Sequence, residues 1–253
     1  MPVSTNVIFH YTNSLEVLKL ILREGFKLNY CLEKLQLGVG YTTMAHPIVC
    51  FCDIPISQSK KHIAHYGKYG IGLSKEWAFN KRINPIMYVD RRSLIADLLH
   101  KLLKLGASSK KTATMGGRKK IQRMPLNSNT AIMKCCMKNY SGVSKEDSDY
   151  RFYDEREWRF IPDKEKDLDF IRCNANISVS LDDYENYKDE LNNKISDYRL
   201  KFGPDDIKYI IVQTKDELTA IIEFLRTHYP CTPEQFNILL TKICTFDSIE
   251  SDY

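Results

Sequence analysis

Thirty residues, Ile48–Trp77 (IVCFCDIPISQSKKHIAHYGKYGIGLSKEW), constrain this chain more than any other stretch. An apolar run opens the segment, with the marks of a largely buried strand over Pro47–Asp53. Pro55 then forces a turn, since proline fixes its own φ and carries no N–H for a ladder. Ser57 or Ser59 can cap a short helix over Lys60–Tyr66, and Tyr69–Ser74 returns as a strand. A strand, a turn, a short helix and a second strand in so few residues leave no room for a long helical bundle. Gly67, Gly70 and Gly72 lack G-x-G-x-x-G spacing and do not open a long helix, so they predict close backbone approach rather than a phosphate loop.

The remaining elements extend the same alternation. Asn6–Thr12 reads as a strand and Leu15–Arg23 as an amphipathic helix, capped by Asn13 or Ser14 and stopped by Gly25. Asn84–Asp90 reads as a strand, and Arg91–Leu105 as a helix with Leu94, Ile95, Leu98, Leu99, Leu102 and Leu103 on one face. Asn127–Tyr140 has a helical pattern, Glu157–Ile161 and Phe170–Cys173 read as strands, and Ile177–Leu181 reads as a weaker one. Tyr184–Tyr198 reads as a polar helix, Ile207–Gln213 as a buried strand, and Asp216–Thr227 and Pro233–Cys244 as closing helices. Strands and helices mix without a strict βαβ rhythm. The expectation is therefore an α+β fold: one domain over 1–253, a single mixed and mostly antiparallel sheet flanked by helices, and a basic helical or loop insertion at about 91–150.

Charge sets the insertion apart. From Leu98 to Lys145 there is no Asp or Glu and there are eleven Lys and Arg, against a net charge of +5 for the whole chain. The remainder is thus net −6, and an anionic partner would be drawn to one region and repelled elsewhere. Lys110, Lys111, Arg118, Lys119, Lys120 and Arg123 are the candidate contacts to a nucleic acid or an acidic protein. The other reading of this stretch is a solvated basic loop. Apolar runs fall short of the ~18–20 residues that span a bilayer, and the N-terminus has no secretory pattern. A cytoplasmic protein with no membrane contact is expected. The eight cysteines show no C-x-x-C pair, so free thiols are expected and no metal site.

Three short segments carry chemistry. His10, at the end of the first strand, can donate from one ring nitrogen while the other is held by a neighbour, and Tyr11 points to the opposite face. His62 and Tyr66 share a helix face at i, i+4 spacing. Glu155 and Glu157 place two carboxylates close together, which can divide proton transfer from charge stabilisation, while Arg159 can pair with Glu157. A divalent-metal nuclease built on Asp53, Glu155 and Glu157 is a remote third reading.

The runs FHYT (Phe9–Thr12), CFCDIPIS (Cys50–Ser57), HYGKYGIGLSKEW (His65–Trp77), NPIMYV (Asn84–Val89) and EREWRF (Glu155–Phe160) resemble the AbiGi-type abortive phage-resistance family. That resemblance spans roughly Asn6 to Phe160 and implies an antiviral, toxin–antitoxin setting in which the member is the antitoxin. The order of the segments is also similar to ADP-ribosyltransferases, which carry a His or Arg on the first strand, a Tyr or Ser on a middle strand leading into a helix, and a late Glu. This second resemblance implies NAD as cofactor. His10 would hold the ribose, Tyr66 or Tyr69 would stack on nicotinamide, and Glu157 would stabilise the ribosyl cation, so His10, Tyr66 and Glu157 are the catalytic candidates. Tyr11, Thr12, Phe51, Tyr69 and Glu155 would line the cofactor. Two functions follow: an antiphage protein with an NAD-using ADP-ribosyltransferase-like cleft, or a non-catalytic antitoxin that binds a partner toxin, another defence protein or a nucleic acid through 98–145.

Overall fold

The computed structural model describes residues 4–105, 122–125, 129–143, 149–162, 169–173 and 181–252. The first strand, β1 (Val7–Thr12), leads into helix α1 (Leu15–Glu24). The Ser14 side chain accepts from the Val17 amide and caps that helix, and Gly25 ends it at φ 83° with its N–H on the Ile21 carbonyl. A short β2 (Phe26–Lys27) precedes a long hairpin, β3 (Asn29–Leu37) and β4 (Gly40–Cys52). Then come α2 (Lys60–Tyr66), β5 (Tyr69–Ser74), α3 (Lys75–Asn80), β6 (Asn84–Pro85), β7 (Met87–Val89) and α4 (Leu94–Leu105). The middle of the chain holds β8 (Gln122–Pro125), α5 (Asn129–Cys135), β9 (Met137–Asn139), β10 (Glu157–Phe160) and β11 (Asp169–Cys173). The last third is α6 (Leu181–Lys194), β12 (Arg199–Leu200), β13 (Ile207–Val212), α7 (Leu218–His228), α8 (Pro233–Leu240), β14 (Ile243–Thr245) and α9 (Phe246–Asp252).

Among the described residues the main sheet has ten strands, with the path β14-β13-β5-β1-β4-β10-β6 and with β3, β11 and β8 attached through β4. Its pairings are antiparallel except β13 with β14, so the α+β expectation of a mixed, mostly antiparallel sheet holds. Helices cover both faces. One face buries Ile8, Phe51, Ile71, Leu73, Trp77 and Trp158 with Leu18 and Leu22 of α1 and Ile221 and Leu225 of α7. The other buries Phe9, Tyr11, Cys52 and Ile211 under Ile63 of α2 and Phe246 of α9. Gly70 and Gly72 let the rings of Tyr11 and Phe9 lie on the strand: a Cβ on either glycine would come within 2.8 Å of a ring carbon.

β4 is the strand that organises the site. Its residues 40–48 pair with β3, 43–45 also with β11, and 49–52 with β10. Against β1 it makes one rung, Phe9↔Cys52, whereas β1 pairs with β5 along its whole length, Val7↔Ser74 to Thr12↔Tyr69. From that rung the sheet opens between β1 and β4 toward Tyr11 and Cys50.

Several expectations need correction. The strand expected over Pro47–Asp53 is the end of a thirteen-residue strand in a hairpin that starts at Asn29. The helical pattern over Asn127–Tyr140 stops at Cys135, and Met137–Asn139 pairs in parallel with β7. The end of the last expected helix is instead the parallel edge strand β14, because Ile243 and Cys244 pair with Ile210 and Ile211. Asn84–Asp90 divides into two short strands, paired with β10 and β9 respectively. Residues 106–121 lie outside the described residues, as does the strand expected over Ile177–Leu181 except for Leu181, which opens α6.

Helix α4 differs most from expectation. At about 100° per residue its apolar positions sweep roughly 200°, more than one contact can cover. Ala96, Leu99 and Leu103 pack with Leu35, Leu37, Met44 and Met137. Leu94, Ile95, Leu98 and Leu102 remain 75%, 49%, 45% and 58% exposed.

Candidate functional site

A cavity of about 180 Å³ lies where β1 and β4 part. Phe9, His10 and Tyr11 line it from β1, and Ile48, Cys50, Phe51 and Cys52 from β4. Cys31 and Glu33 come from β3, His62 and Tyr66 from α2, and Lys138, Glu155 and Glu157 complete it.

The opening is held by a side chain. His10 Nδ1 lies 2.8 Å from the carbonyl oxygen of Cys50. A carbonyl only accepts, so Nδ1 carries the proton and Nε2 is the basic nitrogen. Burial lowers the His10 pKa, against the Cys50 hydrogen bond, and favours this neutral form. The ring also packs edge-on against Phe26 and Phe51, with centroids 5.0 and 5.8 Å away.

Ion pairs form the opposite wall. Lys138 Nζ donates to Glu155 Oε2 at 2.6 Å and to Glu157 Oε2 at 3.1 Å. Arg159 clamps Glu157 with Nε on Oε1 at 2.6 Å and Nη2 on Oε2 at 3.1 Å. The same guanidinium reaches Glu33 Oε1 at 2.6 Å and the Cys135 carbonyl at 2.8 Å. Three carboxylates thus meet two cations, and the Arg159 side chain is 1% exposed. Burial alone would raise the Glu157 carboxyl, but Arg159 and Lys138 outweigh it and hold it well below the usual carboxylate range. Tyr66 donates to Glu155 Oε1 at 3.0 Å and stacks on His62 at 4.4 Å between centroids. The Glu157 amide donates to the Tyr88 hydroxyl at 2.9 Å. The thiols are held protonated: burial pushes Cys31 up to about 11 and Cys52 up to about 12. Such thiols are poor nucleophiles.

The sequence-derived set divides cleanly. His10, Tyr11, Phe51, Tyr66, Glu155 and Glu157 all line this cavity. Thr12 and Tyr69 do not: Tyr69 donates to Glu217 Oε1 at 2.7 Å, away from it. Glu155 reaches the site by a different route from the one expected. The strand begins only at Glu157; Glu155 ends a 3-10 turn and Arg156 is left-handed at φ 46°. Asp53 also lies elsewhere, paired with Lys75 at 2.8 Å. Sequence reasoning missed Cys31, Glu33 and Lys138 as wall residues. Lys138 is one of the eleven positive charges of the basic segment, yet it points inward. Of the other candidate basic contacts, Arg123 lies on β8, while Lys110, Lys111, Arg118, Lys119 and Lys120 lie outside the described residues. Among the described residues no three His, Cys, Asp or Glu side chains are grouped to hold a metal ion, and no helix is long and apolar enough to cross a membrane.

Besides His10, two further histidines give the region a pH dependence. Burial first, then Arg159, drives His46 down to about 3, and burial drives His62 down to about 4. The unfolded chain takes up these protons near pH 6.5, the folded protein only far below. Their contribution to stability is therefore complete above about pH 6.5 and is lost as pH falls toward the folded values, by up to ~1.4 kcal/mol per pH unit for each histidine. Thermal denaturation should show the melting temperature falling between pH 6.5 and 5, before carboxylates titrate. His46→Met should flatten part of that slope; an unchanged slope would mean that His46 is not the titrating group.

Comparison with known proteins gives the following. Residues 16–213 match the family model described as "Putative abortive phage resistance protein AbiGi, antitoxin". The chain is 26% identical over 226 residues to the abortive phage resistance protein AbiGi of Lactococcus lactis subsp. cremoris, covering 82% of this chain and 88% of that protein. No solved structure matches.

Proposed function

Since this chain belongs to the AbiGi family of abortive phage resistance proteins, we propose that it serves phage defence as an antitoxin that holds a partner toxin through helix α4. The exposed stripe Leu94, Ile95, Leu98 and Leu102 carries this reading. Contiguous apolar surface of this kind marks interaction sites. Arg91, Lys101 and Asp97 are exposed beside it and Arg92 pairs with Asp90, so the fitting partner surface is an apolar groove with a polar, mixed-charge rim. This moves the expected partner site from the basic loop to the helix that precedes it. The family description's word "antitoxin" agrees with a binding role.

Leu98→Asp with Leu102→Asp should lower the melting temperature only modestly, because about half of each side chain already faces solvent and the rest of the cost is the poorer helix propensity of Asp. It should weaken binding to the toxin of the same defence system about a hundredfold, from the loss of two buried leucines at ~1.5 kcal/mol each. In cells carrying both proteins, growth should fail with this variant and persist with His10→Ala or Glu157→Gln. Growth rescued equally by the double Asp variant would sink the docking role of α4.

The second reading is the NAD-using, ADP-ribosyltransferase-like cleft, favoured by the convergence of His10, Tyr66, Glu155 and Glu157 on one cavity. Two features weigh against it. At about 180 Å³ the cavity is smaller than the ~300–1,000 Å³ of ordinary ligand sites, so a dinucleotide does not fit it as it stands. Both oxygens of Glu157 are also engaged by cations, which leaves little net charge for a developing ribosyl cation. Calorimetric titration with NAD separates the readings: heat from the wild type that is lost in Glu157→Gln would restore the second one.

A further inference from the structure

The cavity between β1 and β4 runs through the sheet rather than along it. His10 packs edge-on against Phe26 and Phe51 of one core, while Phe9, Tyr11 and Cys52 belong to the core of the other face. All of these but Phe26 line the cavity.

The wall has two parts of different chemistry. Its charged part is closed on itself. Lys138 bonds both Glu155 and Glu157, Arg159 holds Glu157 and Glu33, and Tyr66 bonds Glu155. The rest is apolar or soft: the thiols of Cys31, Cys50 and Cys52, Ile48, and the rings of Tyr11 and Phe51. Burial raises the pKa of all three thiols. Neutral sulfur is a poor nucleophile but a favourable neighbour for an aromatic ring.

His10 is the exception on this wall. It commits Nδ1 to the Cys50 carbonyl, and among the described residues its Nε2 makes no hydrogen bond. In the neutral ring Nε2 is a lone-pair acceptor. An occupant that brings one donor satisfies it.

Size and polarity then narrow the occupant. An apolar cavity of ~150 Å³ takes a benzene ring, so about 180 Å³ takes one six-membered ring with a short substituent. A heterocycle with several polar edges would strand some of them against carbon and sulfur, at a cost for each. A ring with a single hydroxyl would not.

We propose that this cavity binds a phenol, with the ring among the three thiols, Tyr11 and Phe51 and the hydroxyl donating to His10 Nε2. The inference goes beyond the antitoxin reading, because α4 contributes no residue to the cavity. It also asks for far less room than a dinucleotide.

The full chain is titrated calorimetrically with p-cresol and with toluene, which has the same ring and methyl group but no donor. Saturable binding of p-cresol at submillimolar concentration is expected, with toluene about tenfold weaker, the size of one net hydrogen bond. In His10→Phe that advantage should vanish, because the ring volume is kept and the acceptor is lost. If His10→Phe does not fold, the ring-nitrogen NMR spectrum of the wild type is read instead. There p-cresol should move the His10 Nε2 resonance and toluene should not. N-acetyl-tyrosinamide separates two sources of the same chemistry. Binding as tight as that of p-cresol assigns the tyrosine side chain of a peptide, and exclusion assigns a free phenol. No saturable binding of p-cresol overturns the proposal. So does a preference over toluene that survives in folded His10→Phe, or an Nε2 resonance that p-cresol leaves in place.

Discussion

Arg159→Met should destabilise this protein by about 3–5 kcal/mol, the usual cost of removing one member of a buried ion network. The size follows from what is left behind. Glu33, Glu155 and Glu157 would face Lys138 alone, and the Cys135 carbonyl would lose its donor. Burial would then be opposed on Glu157 by Lys138 alone, pushing its carboxyl upward. Urea unfolding at pH 7 measures the loss. A control sharpens it: Arg159→Met with Glu157→Met removes the stranded charge along with its partner, and should be less destabilised than the single variant. Glu157→Gln should also be milder, because Arg159 keeps Glu33 at 2.6 Å. A single variant within about 1 kcal/mol of wild type would mean that the guanidinium is solvated and the network is ornamental.

Gly67→Ala should cost about 3 kcal/mol, from backbone strain and overpacking together. Gly67 ends α2 at φ 115°, and a Cβ there would lie 2.1 Å from the Thr12 carbonyl oxygen. That neighbour is backbone, in the strand that forms the cavity's other wall, and cannot turn aside. Gly40 offers the contrast. The atoms nearest its Cβ would be those of the His100 ring, a side chain that can rotate, so Gly40→Ala should stay within about 1 kcal/mol. Gly67→Ala should also quench the Tyr66–Glu155 contact, because α2 positions Tyr66. Melting temperatures of the two alanine variants, measured side by side, check the ranking.

The legible parts of the sequence were those in which local pattern and tertiary role agree. β1, α1, α2 and β5 fall within a residue or so of where caps, glycines and alternation placed them. The β3–β4 hairpin was hidden for a physical reason. Its face toward Arg159 carries Glu33, a charged residue pointing inward, which breaks the apolar alternation that marks a strand. β9 was read as helix because Met137 and Lys138 continue the periodicity of α5, and only parallel pairing with β7 overrides it. Six of the eight residues expected to form the cleft line the cavity, because strand spacing and unusual side chains mark them. Lys138 and Cys31 carry no local mark: one resembles a solvated lysine and the other a core thiol, and only the fold brings them to the cavity. Helix α4 exposed the opposite failure. Its wide apolar face was legible, but the sequence cannot say which half of that face meets this chain and which half meets another.

The lone rung between Phe9 and Cys52 gives the main sheet a seam. On one side lie β1, β5, β13 and β14, zipped together through most of their lengths; on the other, β4 carries β3, β10 and β11. Elsewhere a tug across the sheet is shared by a ladder of amides, but along this line the backbone supplies one rung, and His10 and the side chains packed on either face carry the rest. The two leaves can therefore shear by a small amount without breaking either, with His10 as the rivet and α2 as the strap across the joint. A molecule in the cavity would sit across that joint and touch both leaves at once.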